Sequence, residues 1–255
     1  NDAFGAAHRK HASTSVIAKF FPKNKYFGFL LNSELSSLEK VLRKPKRPFT
    51  AIIGGAKITG KIDVIISLFN KVDNLIIGGG MAYTFIKALG GDVGNSLVDN
   101  KKIDVALKIL NDAKNKKVKL LLPVDSVNAA ALSNSAKTKK SNIFSINKEE
   151  MGLDIGDESV AKFVEEISKS KTLIWNGPMG VFELEKFQNG TKKISEAISL
   201  ATQNGAFSLV GGGDSVAALK TFKLSKNVSY ISTGGGAMLE YLEGKSLPGI
   251  EAIQN

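Results

Sequence analysis

The chain has 255 residues, of which 43% are hydrophobic and 23% are charged, as is usual for a globular protein. It contains no cysteine, which excludes disulfides, zinc ribbons and cysteine nucleophiles, and its two histidines are too few for a histidine-rich metal site. No charge-free apolar run approaches the roughly 18 residues that a membrane span requires. The composition therefore favours a cytoplasmic α/β enzyme, or a piece of one, without membrane contact.

The net charge of +11 is unevenly distributed, because the excess of basic residues lies mainly in residues 40–47 and 114–119. Only Arg9, Arg43 and Arg47 are arginines, and no aromatic residues are interleaved with the lysines of these two runs. Nucleic-acid binding usually relies on arginine for base edges and on aromatic rings for stacking. We interpret the runs as a solvated surface that binds no nucleic acid but would attract anionic metabolites.

In chain order, the first predicted element is a long amphipathic helix over residues 26–45, which Pro45 and Pro48 close. From there, short apolar runs alternate with helical patterns, and several of the runs end in glycines. The predicted strands cover residues 49–53, 75–77, 118–122, 172–175, 206–210 and 228–231. The predicted helices cover residues 58–69, 81–89, 102–114, 158–168 and 190–203, with one more starting at 214, another ending near 242, and a turn-rich tail over 244–255.

This alternation predicts right-handed βαβ crossovers and therefore an α/β fold built on a parallel sheet. Most of the predicted strands are continuous apolar runs, so we expect helices on both faces of the sheet, in a Rossmann-like three-layer αβα arrangement. At about 150 residues per domain, the length allows one large domain or two small ones.

Three Gly-Gly-Gly turns, at residues 78–80, 211–213 and 234–236, each follow a predicted strand. They mark the edge of the sheet at which open α/β folds bind ligands. Such glycines let backbone N–H groups approach an anion, and each following helix adds about half a positive charge at its amino end. One such turn is more often a plain structural turn, whereas three at one edge favour a phosphate site. None completes G-x-G-x-x-G, which disfavours a nicotinamide dehydrogenase.

Residues 54–61 contain a second phosphate-binding pattern. From Gly55 they match the G-x-x-x-x-G-K part of a P-loop, but Ile62 stands where a P-loop needs Ser or Thr to hold magnesium. Lys57 and Lys61 are four residues apart, so on a helix they would share one face at about 5–6 Å. Two ammonium groups near a helix amino end suit a polyphosphate, and a P-loop NTPase remains an alternative.

Three further groups are candidates for ligand contacts. Asp214 follows a triple-glycine turn, where it could be a helix cap or could hold magnesium beside bound phosphates. Glu183 ends the loop after the strand at 172–175, and it could hydrogen-bond a ribose or belong to an ordinary turn. His8 and Arg9 could be surface residues, or Arg9 could bind a phosphate or carboxylate.

Taken together, these motifs resemble the phosphoglycerate kinase family. The resemblance covers essentially the whole chain in family order, and WNGP and the GGGD-type turn are its most specific parts. The matching segments are NDAFGAAHRKH (1–11), GGAK (54–57) with Lys61, GGGMAYTF (78–85), LPVD (122–125), MGLD (151–154), WNGPMGVFE (175–183), GGGDS (211–215), STGGGA (232–237) and LEGKSLPG (242–249).

The resemblance implies one full domain of a two-domain kinase. Residues 1–25 would be a remnant of the acid-binding N-terminal domain and hinge, and residues 26–45 the interdomain helix. Residues 46–243 would form the nucleotide-binding domain, and the tail over 244–255 would return toward the missing N-terminal domain.

The implied activity is reversible phosphoryl transfer between 1,3-bisphosphoglycerate and ADP, which gives 3-phosphoglycerate and ATP in glycolysis. This chain would carry the ADP/ATP half, with Mg²⁺ as cofactor, in a monomeric protein. The arginine thought to act on the transferring phosphoryl group would lie in the missing domain, so the isolated chain is expected to be nearly inactive. A non-catalytic nucleotide-binding module is a further alternative.

The resemblance also assigns roles to individual residues. Lys57 would face the transferring phosphoryl group, Lys61 the α-phosphate, and Asp214 the magnesium ion, while His8 and Arg9 would remain from the acid-binding site. The implied catalytic residues are Lys57, Lys61, Gly213 and Gly236. The implied nucleotide-binding residues are Gly55, Ala56, Lys57, Lys61, Gly78, Gly79, Leu97, Gly152, Leu153, Asn176, Pro178, Glu183, Gly212, Gly213, Asp214 and Ser215. Ser215 stands where threonine is common in the family, and it keeps the hydroxyl group.

Overall fold

The computed structural model describes residues 1–254. Its strands are β1 (Phe49–Ile53), β2 (Asn74–Ile77), β3 (Asp92–Val93), β4 (Lys119–Leu121), β5 (Asp125–Ala129), β6 (Lys139–Asn142), β7 (Ser145–Ile146), β8 (Met151–Ile155), β9 (Thr172–Asn176), β10 (Phe207–Val210) and β11 (Tyr230–Ile231). Its α-helices are α1 (Phe29–Leu42), α2 (Ile62–Leu68), α3 (Ala82–Ala88), α4 (Ile103–Asn115), α5 (Asp157–Lys169), α6 (Asn189–Gln203), α7 (Gly213–Thr221), α8 (Gly235–Leu242) and α9 (Pro248–Gln254).

Six of the strands form one sheet in the order β11-β10-β9-β1-β2-β4, and every neighbouring pair is parallel. The first strand in sequence, β1, lies in the middle of the sheet. The strands β2 and β4 follow on one side of it, and β9, β10 and β11 are then added on the other side. The order of the strands therefore reverses between β1 and β9. In open α/β sheets, the crevice at the carboxyl ends of such strands is where ligands bind.

Apolar residues on both faces of this sheet explain its three layers. Ala51 and Ile53 of β1 are buried in one cluster with residues of α1, α2, α3, α4 and α8. Ile52 points the other way and is buried in a second cluster with residues of α5, α6 and α7. Because both faces are covered, the strands are apolar at successive positions, and the predicted parallel three-layer arrangement is confirmed.

The structure departs from the predicted elements in several places. The helix predicted over residues 26–45 is shorter, since α1 begins only at Phe29, after the extended Gly28, and ends at Leu42. The helix expected from residue 58 begins at Ile62, because Thr59 and Gly60 are weak helix formers and residues 58–61 form a turn closed by Lys61 N–H and the Ile58 carbonyl at 2.8 Å. The tail contains helix α9 rather than turns alone. A three-stranded antiparallel sheet, β6-β5-β8, and the parallel pair β3-β7 were not predicted, since β3 and β7 have two residues each, β5 and β6 are mostly polar, and the apolar residues of β8 are interrupted by Gly152 and Asp154.

The first residues of the chain pack on the domain and on the segment that begins α9. Phe4 and Ala7 are fully buried in the same cluster as Met238 of α8. The Gly249 N–H group donates to the Ala7 carbonyl at 2.9 Å, so the segment that begins α9 is tied to the start of the chain. The division into a domain remnant, an interdomain helix, a nucleotide-binding domain and a returning tail stays a prediction.

Among residues 1–254, no helix has the length and apolarity that crossing a bilayer would require.

Candidate functional site

A cleft opens at the carboxyl ends of the parallel strands, and its first part is a polar space of about 410 Å³ that we name the phosphate compartment. The glycine turns after β1, β10 and β11 surround it, together with the residue that ends β9. Its lining consists of Gly54, Gly55, Ala56, Lys57, Lys61, Asn176, Gly177, Gly212, Gly213, Asp214, Ser215, Gly235, Gly236 and Leu239.

The second part of the cleft, which we name the base compartment, has a volume of about 390 Å³ and a mostly apolar lining. It shares Gly55, Ala56 and Asp214 with the phosphate compartment, so the two spaces are continuous. The other lining residues are Gly79, Gly80, Tyr83, Asn95, Leu97, Leu132, Met151, Gly152, Leu153, Pro178, Met179, Gly180, Val181 and Glu183. A ligand with a flat apolar ring and a chain of charged groups would fit, with the ring in the base compartment and the charged groups in the phosphate compartment.

Glycine is required where the loops of the cleft touch. A Cβ atom on Gly54 would overlap the carbonyl oxygens of Gly177 and Pro178. Gly212 has a φ of +92°, and a Cβ atom on Gly235 would lie 2.8 Å from its Cα atom. The amino ends of α7 and α8 therefore converge on the phosphate compartment, and both helix dipoles favour an anion there.

Lys61 is the more buried of the two lysines in the cleft. It precedes α2 and donates from Nζ to the Asn176 side-chain oxygen Oδ1 and, at 3.4 Å, to the Asn176 carbonyl. Burial lowers the pKa of Lys61 to about 8, although the nearby Asp214 carboxylate opposes this shift. Its ammonium group is therefore poorly solvated, and a bound anion would supply the missing charge.

Lys57 reaches the same compartment from a different element. It is exposed and lies in the turn before α2, so the expectation that Lys57 and Lys61 share one helix face is wrong. The cause is the late start of α2, which leaves only the residues after Lys61 in the helix. Both side chains nonetheless line the phosphate compartment.

Asp214 lies at the junction of the two compartments, in the first turn of α7. Its carboxylate is exposed, and the adjacent Ser215 hydroxyl accepts the Gly177 N–H group at 2.6 Å, which joins α7 to the loop after β9. No group of three or more His, Cys, Asp or Glu side chains suited to a metal occurs among residues 1–254. The donor set fits a magnesium ion held by one carboxylate and by phosphate oxygens, rather than by an all-protein cage.

His8 and Arg9 lie beside the amino end of α8. A Cβ atom on Gly236 would be 3.5 Å from His8 Nε2, and Arg9 Nε donates to the same nitrogen at 3.3 Å. The pair is thus next to the phosphate compartment, of which Gly236 is part.

The comparison with known proteins agrees with this geometry. The family model described as phosphoglycerate kinase matches residues 1–245. The chain belongs to the phosphoglycerate kinase family. The P-loop match at residues 55–61 is then incidental, since Ile62 begins α2 without a hydroxyl group.

Individual phosphoglycerate kinases resemble the chain over its full length. The enzyme of Porphyromonas gingivalis is 54% identical over all 255 residues, which is 61% of that protein. The phosphoglycerate kinase structure from Coxiella burnetii has a TM-score of 0.95 and 43% identity, covering 99% of this chain and 64% of that one. The structure from Pyrococcus horikoshii OT3 has a TM-score of 0.80 and 30% identity, covering 100% of this chain and 63% of that one. The chain therefore spans less than two thirds of the length of these phosphoglycerate kinases.

Nearly all of the residues singled out in the sequence line the cleft. Gly78 does not line either compartment; it packs against Met179, whose sulfur would overlap a Cβ atom at this position. His8 and Arg9 lie beside the phosphate compartment rather than in its wall. Every other residue assigned to the nucleotide lines the phosphate compartment, the base compartment or both.

Sequence reasoning missed much of the base compartment, chiefly Tyr83, Asn95, Leu132, Met151 and Val181. Leu132 follows the unpredicted strand β5, and Asn95 lies in the loop after β3, so neither was next to a strand–glycine–helix signal. Met151 and Val181 do stand inside the segments MGLD and WNGPMGVFE of the family resemblance, which could have identified them.

Proposed function

We propose that this chain is the nucleotide-binding part of a phosphoglycerate kinase that transfers a phosphoryl group reversibly between 1,3-bisphosphoglycerate and ADP, giving 3-phosphoglycerate and ATP in glycolysis. The observation that carries the proposal is the two-part cleft, in which an apolar compartment continues at Asp214 into one surrounded by glycine turns and lysines. A nucleoside diphosphate has the same two parts.

The residues of the cleft fit the demands of phosphoryl transfer, which needs positioning and positive charge rather than a covalent nucleophile on the protein. Leu97, Gly152 and Leu153 would hold the adenine, and Glu183 the ribose. The N–H groups at the start of α7 would bind the phosphates, with Lys61 on the α-phosphate. Lys57, being exposed, would neutralise charge on the transferring group, together with Gly213 and the amino end of α8 at Gly236.

Asp214 would hold Mg²⁺ in this scheme. When bound, the ion would neutralise charge on the phosphate groups. Asp214 is placed for this because its carboxylate is exposed at the end of the base compartment where the phosphates would begin.

The acid substrate would bind beside His8 and Arg9 and against the part of the longer relatives that lies outside this chain, as the domain prediction implies. Closure of the two parts would bring donor and acceptor together and exclude water. The proposal further includes a monomer in the cytoplasm, acting on small molecules without nucleic-acid or membrane partners.

Calorimetric titration with magnesium–ADP tests the nucleotide site directly. The unaltered chain should bind, and Lys61→Ala and Asp214→Ala should each weaken binding by about tenfold or more, as expected for the loss of a charge-assisted contact. Lys108→Ala, on the exposed face of α4, is the matched control and should bind like the unaltered chain. Absence of binding by a chain with the circular dichroism of a folded α/β protein would contradict the proposal.

A further inference from the structure

One side of the base compartment is a short loop that is hydrogen-bonded to helix α6 and to strand β8. This segment, residues 179–181, is named the base wall. The Met179 and Gly180 N–H groups donate to Thr191 Oγ1 in the first turn of α6, at 3.0 and 3.2 Å. The Val181 N–H group donates to the Leu153 carbonyl of β8 at 2.9 Å. The position of the base wall therefore depends on how α6 and β8 are held relative to each other.

Asp154 connects these two elements. Its side chain is fully buried. Oδ1 accepts the Ile155 N–H group of its own strand at 2.9 Å, and Oδ2 accepts the Gly190 N–H group of α6 at 2.7 Å. The carboxylate thus lies at the positive end of α6, where a negative charge is favourable.

The base wall packs directly on this carboxyl group. A Cβ atom on Gly180 would overlap Asp154 Oδ1, and a Cβ atom on Gly190 would overlap the same oxygen. Asp154 is not part of the lining of the base compartment, whereas Gly180 and the preceding Leu153 are. The carboxyl group is therefore behind the wall and in contact with its backbone.

We propose that Asp154 is a positioning residue for recognition of the nucleotide base: by joining β8 to α6 it holds the base wall in place, without contacting the nucleotide. This inference rests on the proposed nucleotide-binding function. Two oxygen atoms accept two N–H groups from two elements, and an amide side chain has only one acceptor oxygen. Asparagine would therefore place an NH₂ group against one of the two backbone donors.

The ionisation of this carboxyl group gives a second readout. Burial raises the pKa of Asp154 to about 7, the Gly190 and Ile155 N–H groups oppose the shift, and Asp157 at the start of α5 adds to it. Tyr83 on α3 also faces the carboxyl group, and it remains neutral because burial and Asp154 both raise its pKa. As the pH falls below 7, one oxygen gains a proton and loses an N–H partner, so base-dependent affinity should decrease.

The test compares magnesium–ADP with magnesium tripolyphosphate, which has no base, in calorimetric titrations of the unaltered chain and of Asp154→Asn. Loss of a hydrogen bond to a buried charge should weaken ADP binding by about tenfold, while tripolyphosphate binding stays within about twofold. Glu165→Gln is the control: that carboxylate is exposed, pairs with Lys169 on the same helix and should not affect either ligand.

A second variant and a pH series complete the test. Gly180→Ala intrudes on the same carboxyl group from the wall and should show the same base-selective loss, even if Asp154→Asn fails to fold. The ADP affinity of the unaltered chain divided by that of Asp154→Asn should shrink from pH 8 to pH 6, because only the unaltered chain has a carboxylate at this position to protonate. Titration of Lys61 and of the nucleotide phosphates affects both chains and cancels in this ratio. Equal loss for both ligands, or no loss for ADP, would overturn the inference. Failure of the unaltered chain to bind ADP would overturn the proposed function instead.

Discussion

At the scale of single residues, the burial of the Lys61 ammonium group favours binding of an anion in the cleft. Its pKa is about 8 in the folded chain against an ordinary value of 10.5, chiefly because of burial. Below pH 8 the folded state therefore bears the full cost of holding a poorly solvated charge. Between about pH 8 and 10.5 the unfolded chain binds more protons than the folded one, so the contribution of Lys61 to the free energy of unfolding rises with pH.

The same shift predicts a pH dependence of nucleotide binding. Affinity for magnesium–ADP should fall by about tenfold per pH unit above 8, because the neutral amine no longer attracts a phosphate. Calorimetry between pH 7 and 9.5 measures this slope. Lys61→Arg is the control, since a guanidinium group keeps its charge throughout this range and its affinity should stay level. Parallel slopes for the two chains would show that another group titrates.

At the scale of elements, the phosphate compartment depends on two helix amino ends that only glycine turns can bring together. Gly212 combines a φ of +92° with neighbours on both sides, namely Asn176 and Gly235. A side chain at this position would be strained and would also press on the Asn176 side chain, whose Oδ1 atom accepts from Lys61 Nζ. Backbone strain and crowding of neighbours are separate effects, and a glycine with a positive φ but no close neighbours can distinguish them.

Gly205 has a φ of +91° and nothing within 4 Å of where its Cβ atom would lie. We expect Gly205→Ala to lose about 1–2 kcal/mol of unfolding free energy from backbone strain at positive φ, and Gly212→Ala to lose more, because crowding against Asn176 adds to the same strain. Only Gly212→Ala should also lose affinity for magnesium–ADP. Denaturant unfolding and calorimetry on both variants measure the two effects. If Gly205→Ala weakened nucleotide binding equally, general destabilisation would explain the loss.

At the scale of the whole molecule, the two basic runs lie away from the cleft. The basic runs at residues 40–47 and 114–119 precede β1 and β4, which places them at the amino edge of the parallel sheet, opposite the cleft. Since charges are screened over about 8–10 Å at physiological ionic strength, Lys57 and Lys61 rather than these runs supply the field at the cleft.

One stretch of the sequence carries several exposed large apolar side chains between residues 17 and 30, namely Ile17, Phe20, Phe21, Tyr26, Phe29 and Leu30. Further along α1, Leu31, Leu38 and Val41 are fully buried because the helix packs them into the core. The unpartnered surface thus lies in and next to the segment that the domain prediction assigns to the acid-binding part.

We expect the 255-residue chain to bind magnesium–ADP yet to form ATP from 1,3-bisphosphoglycerate at least about 10³-fold more slowly than a full-length relative. Loss of a transition-state arginine alone has a cost of this order. A coupled assay of ATP formation, with the Porphyromonas gingivalis enzyme as the full-length control, measures the difference. Comparable rates in the two proteins would contradict the predicted division of the site between two parts.

The phosphate compartment could be predicted from the sequence because its signals are local. A strand, its glycine turn and the next helix are consecutive in the chain, and parallel pairing brings the turns after β1, β10 and β11 to one edge. Lys61 and Asp214 each stand a few residues from such a turn. Both residues could therefore be selected as candidates for a phosphate site without knowledge of distant contacts.

The base compartment and the electrostatics of the cleft were decided by the tertiary structure. Leu132, Asn95 and the base wall come together through the antiparallel strands β5 and β8, the loop after β3 and the loop after β9, whose contacts span long stretches of chain. Likewise, the pKa values of Lys61 and Asp154 depend on burial by residues far away in sequence. Short-range order thus follows from neighbouring residues, whereas cavities and desolvation arise only when the chain packs.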